Sequence, residues 1–210
     1  LVSTSGNISI SSGDAAIGLS ATAAGDVSLV AGTTIDVTSV SAGGDLLIHA
    51  QGQILAGWLT ATGSADIRTA AGLQLGTSTS GGDQTLNAAT GLSFTTLTST
   101  GGGIAAAVTS GGIAGTTVVA SDGVTLGASG DVAVQDVTAA GALALTSGGR
   151  ITAATVTSGG ATTIAAATLD AATVAAGTSL TSTTSGASVF GTLTSGGATT
   201  IAAATLDAAT

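Results

Sequence analysis

His49, Arg68 and Asn87 follow one another at intervals of nineteen residues. An imidazole and a guanidinium ranked on one face could serve a polysaccharide lyase or hydrolase, if carboxylates stood with them. General acid–base catalysis needs a positioned donor and acceptor, and glycoside hydrolysis uses two carboxyl groups flanking the bond. The pattern places no carboxylate pair beside the row, so it reads as a polar stripe facing solvent. Asp26 and Asp45 share a second recurring position, each directly after a Gly. Carboxylates stacked that closely repel one another unless a cation such as Ca²⁺ bridges them. The plainer reading is that each caps its own turn. The calcium-binding nonapeptide of β-roll repeats is absent. Asp170 and Asp207 are copies made by an internal duplication. No catalytic or cofactor-binding residue is assigned, and Ca²⁺ at Asp26 and Asp45 is the one cofactor considered.

Threonine is the other recurrent polar residue. It forms doublets at Thr33-Thr34, Thr95-Thr96, Thr116-Thr117, Thr162-Thr163 and Thr199-Thr200. Ranked Thr on a flat sheet can order water as ice-binding proteins do, but these doublets hold no common position in the repeat. Thr also suits an exposed strand because it is β-branched with a polar tip. Asn7-Ile8-Ser9 matches a glycosylation sequon. Trp58 either caps the core locally or protrudes.

The elements that would position these residues come from a repeat. Aligned on a Gly before an alternating apolar pair, units begin at Gly6, Gly25, Gly44, Gly63, Gly82, Gly102, Gly123, Gly141, Gly160, Gly177 and Gly197. The spacings are 19, 19, 19, 19, 20, 21, 18, 19, 17 and 20. TSGGATTIAAATLDAAT at 157–173 recurs at 194–210. Two residues after the Gly stand Ile8, Val27 and Leu46, and four after it Ile10, Leu29, Ile48, Ile67 and Leu86. Ten after it stand Ile35, Ile54, Leu73 and Leu92, and twelve after it Val37, Leu75 and Phe94. A further apolar residue, as at Val40, Leu59 and Leu97, follows three later. Apolar residues two apart share one face of a strand. Each unit therefore predicts three short strands joined by tight turns, and such a unit cannot bury its inner face alone. Stacking the units gives each strand a parallel neighbour on both sides, which is an all-β, single-stranded parallel β-helix of about eleven coils. Right-handedness is expected because strand–crossover–strand connections are overwhelmingly of that hand. Neighbouring strands lie about 4.8 Å apart, so the rod would be roughly 50 Å long. Near Gly101-Gly102-Gly103 the register is ambiguous, and a longer turn or a bulge is expected there.

Composition agrees. Only 6% of residues are charged, 44% are hydrophobic and 34 are Gly. A disordered chain would be more charged and less regularly apolar. Gly, Ser, Thr and Val are too frequent for helices. Small side chains suit a narrow core of thin layers, whereas a conventional core needs bulk to fill its volume. The net charge of −9 argues against nucleic acid as a partner. No apolar run is long enough to span a bilayer, and the aromatic girdles of a membrane barrel are missing.

The stretches GDVSLVAGTTIDVTSVSAG at 25–43, GGDLLIHAQGQIL at 43–55 and GDVAVQDVTAAGALALTSGG at 130–149 resemble the repeat region of filamentous-haemagglutinin-like exoproteins. These are exported by two-partner (type V) secretion in Gram-negative bacteria. The resemblance runs through residues 1–210, read as one repeat region cut from a longer chain. It implies a non-catalytic shaft of a secreted or surface-attached adhesin or filament, acting in adhesion, biofilm formation or cell contact. A host surface, neighbouring cell or matrix would be engaged through other parts of the protein. The family's amino-terminal secretion domain carries Asn-Pro motifs, and this chain has no Pro. The alternative is a filament subunit that stacks end to end.

Overall fold

The computed structural model describes Leu1–Ala208, apart from the side chain of Ile17. Ala209 and Thr210, the last residues of the repeat at 194–210, lie outside the described residues. Among the described residues there is no helix, and the strands form two parallel sheets of twelve and eleven strands. Successive strands alternate between the sheets, and each pairs with the strand two further along the chain. The fold is therefore a parallel β-solenoid of about eleven coils.

Each coil carries two strands, where three were expected. A five-residue strand such as Val27–Ala31 buries Val27, Leu29 and Ala31 and turns Ser28 and Val30 outward. After the tight turn Gly32-Thr33-Thr34 comes an eight-residue strand, Ile35–Ala42. It buries Ile35, Val37, Val40 and Ala42. Its alternation slips once, at Thr38-Ser39, where two successive side chains lie outside. The three-residue step from Val37 to Val40 is thus a phase slip within one strand, not a turn between two.

The ladder also corrects the register. Along the short strands Ile8, Val27, Leu46, Ala65, Gln84, Ile104, Val124, Leu143, Thr162, Leu180 and Thr199 stand in line. Subtracting neighbours gives steps of 19, 19, 19, 19, 20, 20, 19, 19, 18 and 19. Asp122 and Thr178 therefore occupy the places assigned to Gly123 and Gly177. The expected longer turn is present: Thr100–Gly103 links strands that three residues, Gly81–Asp83, link in the preceding coil. The bulge lies elsewhere, where the first full coil pairs with the second around Leu19. Gly18 there has φ of 68°, a conformation in which a side chain is strained.

The expected columns form the core. Val27, Leu46, Leu29, Ile48, Ile67, Leu86, Ile35, Ile54, Leu73, Leu92, Val37, Leu75 and Phe94 are all buried. Ile8 and Ile10, in the first coil, are only partly buried against it. Removing an Ile or Leu side chain from water stabilises by about 1.5–3 kcal/mol, and each coil supplies several. One column alternates in size to fill its volume: Leu75 pairs with Phe94, Phe94 with Gly115, Gly115 with Val134. A Cβ on Gly115 would stand 2.1 Å from a Phe94 ring carbon, so the ring extends into the space above its own layer.

Gln84 interrupts the apolar pattern at 1% exposure. Its Nε2 donates to the Ser78 carbonyl at 3.1 Å and to that of Thr98. Ser78 replaces the Leu59 and Leu97 of adjoining coils, which leaves room for the amide.

Candidate functional site

His49, Arg68 and Asn87 are direct neighbours across three successive short strands. They occupy the outward position between buried Ile48 and Ala50 and its equivalents. The coil step brings the predicted row together. Sequence reasoning missed Asp66, two residues before Arg68 on the same strand and therefore on the same face. Its Oδ1 accepts a hydrogen bond from Arg68 Nε at 2.7 Å, and its Oδ2 lies 3.8 Å from His49 Nε2. The signal was present as the alternation Asp66-Ile67-Arg68.

That hydrogen bond, and then the attraction of the carboxylate charge, raise the Arg68 pKa above its ordinary value. The guanidinium is charged at neutral pH in either case, so the hydrogen bond orients the pair without adding a titration near neutrality. The pair is exposed, with side-chain exposures of 55% for Arg68 and 31% for Asp66, and solvent screens it. His49 Nε2 is shielded from solvent and has no hydrogen-bond partner among the described residues. A shallow groove lined by Val30, His49, Gln51, Arg68 and Thr69 runs beside it.

Asp66 is held by Arg68, and its neighbours across the ladder are Leu47 and Thr85. This arrangement can place a positive charge and an imidazole beside an anionic group. It contains one carboxylate, where glycoside hydrolysis uses two.

Asp26 and Asp45 do stack on consecutive coils, but neither caps its own turn. Asp26 Oδ1 accepts from the Asp45 backbone N–H at 2.9 Å, and Asp45 Oδ1 from the Ser64 N–H at 2.8 Å. Asp83 serves Gly103 and Asp131 serves Arg150 in the same way. Each of these acidic side chains satisfies a backbone donor in the next coil, in or directly after its turn, and one carboxylate oxygen is thereby engaged. Among the described residues no group of three or more His, Cys, Asp or Glu could hold a metal ion.

Asn7 begins this ladder. Its Oδ1 accepts from Asp26 N–H at 2.8 Å and its Nδ2 donates to Asp26 Oδ2 at 3.3 Å. The nitrogen of the sequon is thus engaged within the turn stack. Trp58 protrudes at 63% exposure, between Ser39 and Thr77 on the neighbouring coils. Asp170 pairs with Arg150 of the preceding coil, whereas Asp207, its copy two coils on, faces Val189.

Comparison with known proteins found no matching family model and no significant match to a curated protein or a solved structure.

Proposed function

We propose that this solenoid is a rigid, non-catalytic shaft of a secreted or surface-attached bacterial adhesin or filament, of the two-partner exoprotein type that its Gly-Asp repeats resemble. One observation carries the reading: parallel pairing continues coil upon coil from Val2 to Ala208. Coils about 4.8 Å apart make length the property that such a chain adds most directly. Stability in such a stack is a sum of coils and their interfaces, so length can change without redesign of a core. In the His49 row Arg68 is tied to Asp66 on the surface, and a single carboxylate beside it suits a spacer better than a reaction centre. Partners on a host cell, a neighbouring cell or a matrix would be met by regions that the shaft carries.

The test compares two kinds of variant in cells displaying the whole protein. Excising residues 27–64, two coils of nineteen, should shorten the rod by about 10 Å and change attachment as length requires. The pair His49→Ala and Arg68→Ala should leave attachment unchanged. Attachment that survives the excision unaltered but disappears in the double substitution would overturn the shaft reading.

A further inference from the structure

The long strands carry a second polar array that the Thr doublets concealed. Residues 77, 96, 117, 155, 173 and 192 are Thr and stand in one column, reached through Asp136 in the middle. Two residues further along each strand runs a parallel column that includes Thr79, Thr98, Thr138, Thr157 and Thr194. The result is a Thr-x-Thr face, with complete doublets at 77–79, 96–98, 155–157 and 192–194. Followed from Ser20 and Thr22, the two columns hold twenty positions, of which thirteen are Thr and three are Ser. Asp136 is the one charged residue among them.

Strand propensity does not account for this. The outward column that starts at Asp36 on the same strands holds one Thr, Thr152, in ten positions down to Asp207. Both sets of columns point outward from the same parallel strands, yet only the pair beyond the phase slip is Thr-rich. Among the described residues, no Thr hydroxyl of the four complete doublets is bonded to a protein group. Those of Thr62, Thr69 and Thr100, in and beside the turns, reach backbone carbonyls.

We propose that this face binds ice. Its occupant is a neutral, periodic lattice of water, and the face is itself nearly uncharged and periodic in two directions. Coils set one repeat at about 4.8 Å, and alternate residues of a strand set the other at about 6.6 Å. Water oxygens on a prism face of ice form a rectangular net with repeats of this order. Each Thr offers a methyl group, over which water orders, and a hydroxyl that both donates and accepts. The ladder beneath holds the array rigid, so little freedom is lost when the surface docks. Val119 and Ala175 keep a small apolar group in the lattice, whereas Trp58 and Asp136 mark its defects. The inference goes beyond the shaft reading and is tested separately from it.

The experiment measures thermal hysteresis and uptake into a growing ice front for the purified chain. Trp58 shows that a ring is tolerated within the column, so Thr96→Trp and Thr155→Trp should fold, as circular dichroism checks. The parent chain should enter ice and show hysteresis, and each Trp variant should lose most of both. Asp136→Thr should increase them, and Thr152→Trp, on the other outward column, should leave them unchanged. A folded parent chain that is excluded from ice and gives no hysteresis overturns the proposal. So do Trp variants as active as the parent, or retention on crystalline cellulose with exclusion from ice.

Discussion

The carboxylate of Asp26 occupies the space that a side chain on Gly44 would need: a Cβ there would stand 2.1 Å from Asp26 Oδ1. The same relation joins Asp45 to Gly63 at 2.1 Å and Asp131 to Gly149 at 2.1 Å. The Gly-Asp dipeptide is therefore a device linking coils. The Asp of one coil reaches past the Gly of the next to the backbone N–H of the residue that follows that Gly, and the Gly is what lets it pass.

Gly44→Ala should displace the Asp26 carboxylate and break its hydrogen bond to Asp45, costing about 1–2 kcal/mol. Asp26→Ala loses the same bond. The two changes should couple, so the double variant costs less than the sum of the single ones. Chemical denaturation of all four proteins measures this, and strict additivity would contradict the geometry. Gly43→Ala should be the more damaging change, because its Cβ would meet the Ala24 carbonyl oxygen at 2.2 Å, and backbone cannot rotate aside.

Gly115→Ala should destabilise by about 1–3 kcal/mol through overpacking against Phe94. Phe94→Leu in the same chain should recover part of that loss, since the new methyl collides with the ring edge. Melting temperatures of the two single variants and the double variant provide the check.

Ile67 is fully buried between Ile48 and Leu86. Ile67→Ala should cost about 2–5 kcal/mol. Ile67→Asp should cost more, because it adds an unpaired buried carboxylate. An unchanged melting curve for Ile67→Asp would contradict the inward placement of this column.

Trypsin can cut only after Arg68 and Arg150, since the chain has two Arg and no Lys. Both lie within paired strands, although more than half of each side chain is exposed. The folded chain should resist digestion, and two cuts in the unfolded chain should release three peptides, 1–68, 69–150 and 151–210. Their appearance with rising temperature should follow loss of the β-sheet signal. Cleavage well below the melting transition would show local opening of the ladder.

The strand period, the coil length and the inward columns were legible in the chain itself. Alternation has period two, and a unit of about nineteen residues has no way to bury its apolar side except by stacking. Ile48, Ile67 and Leu86 announce one column by spacing alone. Three things were decided only by the folded chain. The turns Ser121-Asp122-Gly123 and Gly177-Thr178-Ser179 carry their Gly one residue away from the repeat's usual place, so the places of Asp122 and Thr178 depended on which backbone groups pair. The join of the second and third apolar segments depended on a phase slip at Thr38-Ser39, which spacing cannot distinguish from a turn. Finally, the partners of Asp26 and Thr96 lie a coil away. Chain order sets their types, but the ladder sets their neighbours, because backbone hydrogen bonds between coils determine which distant residues share a row.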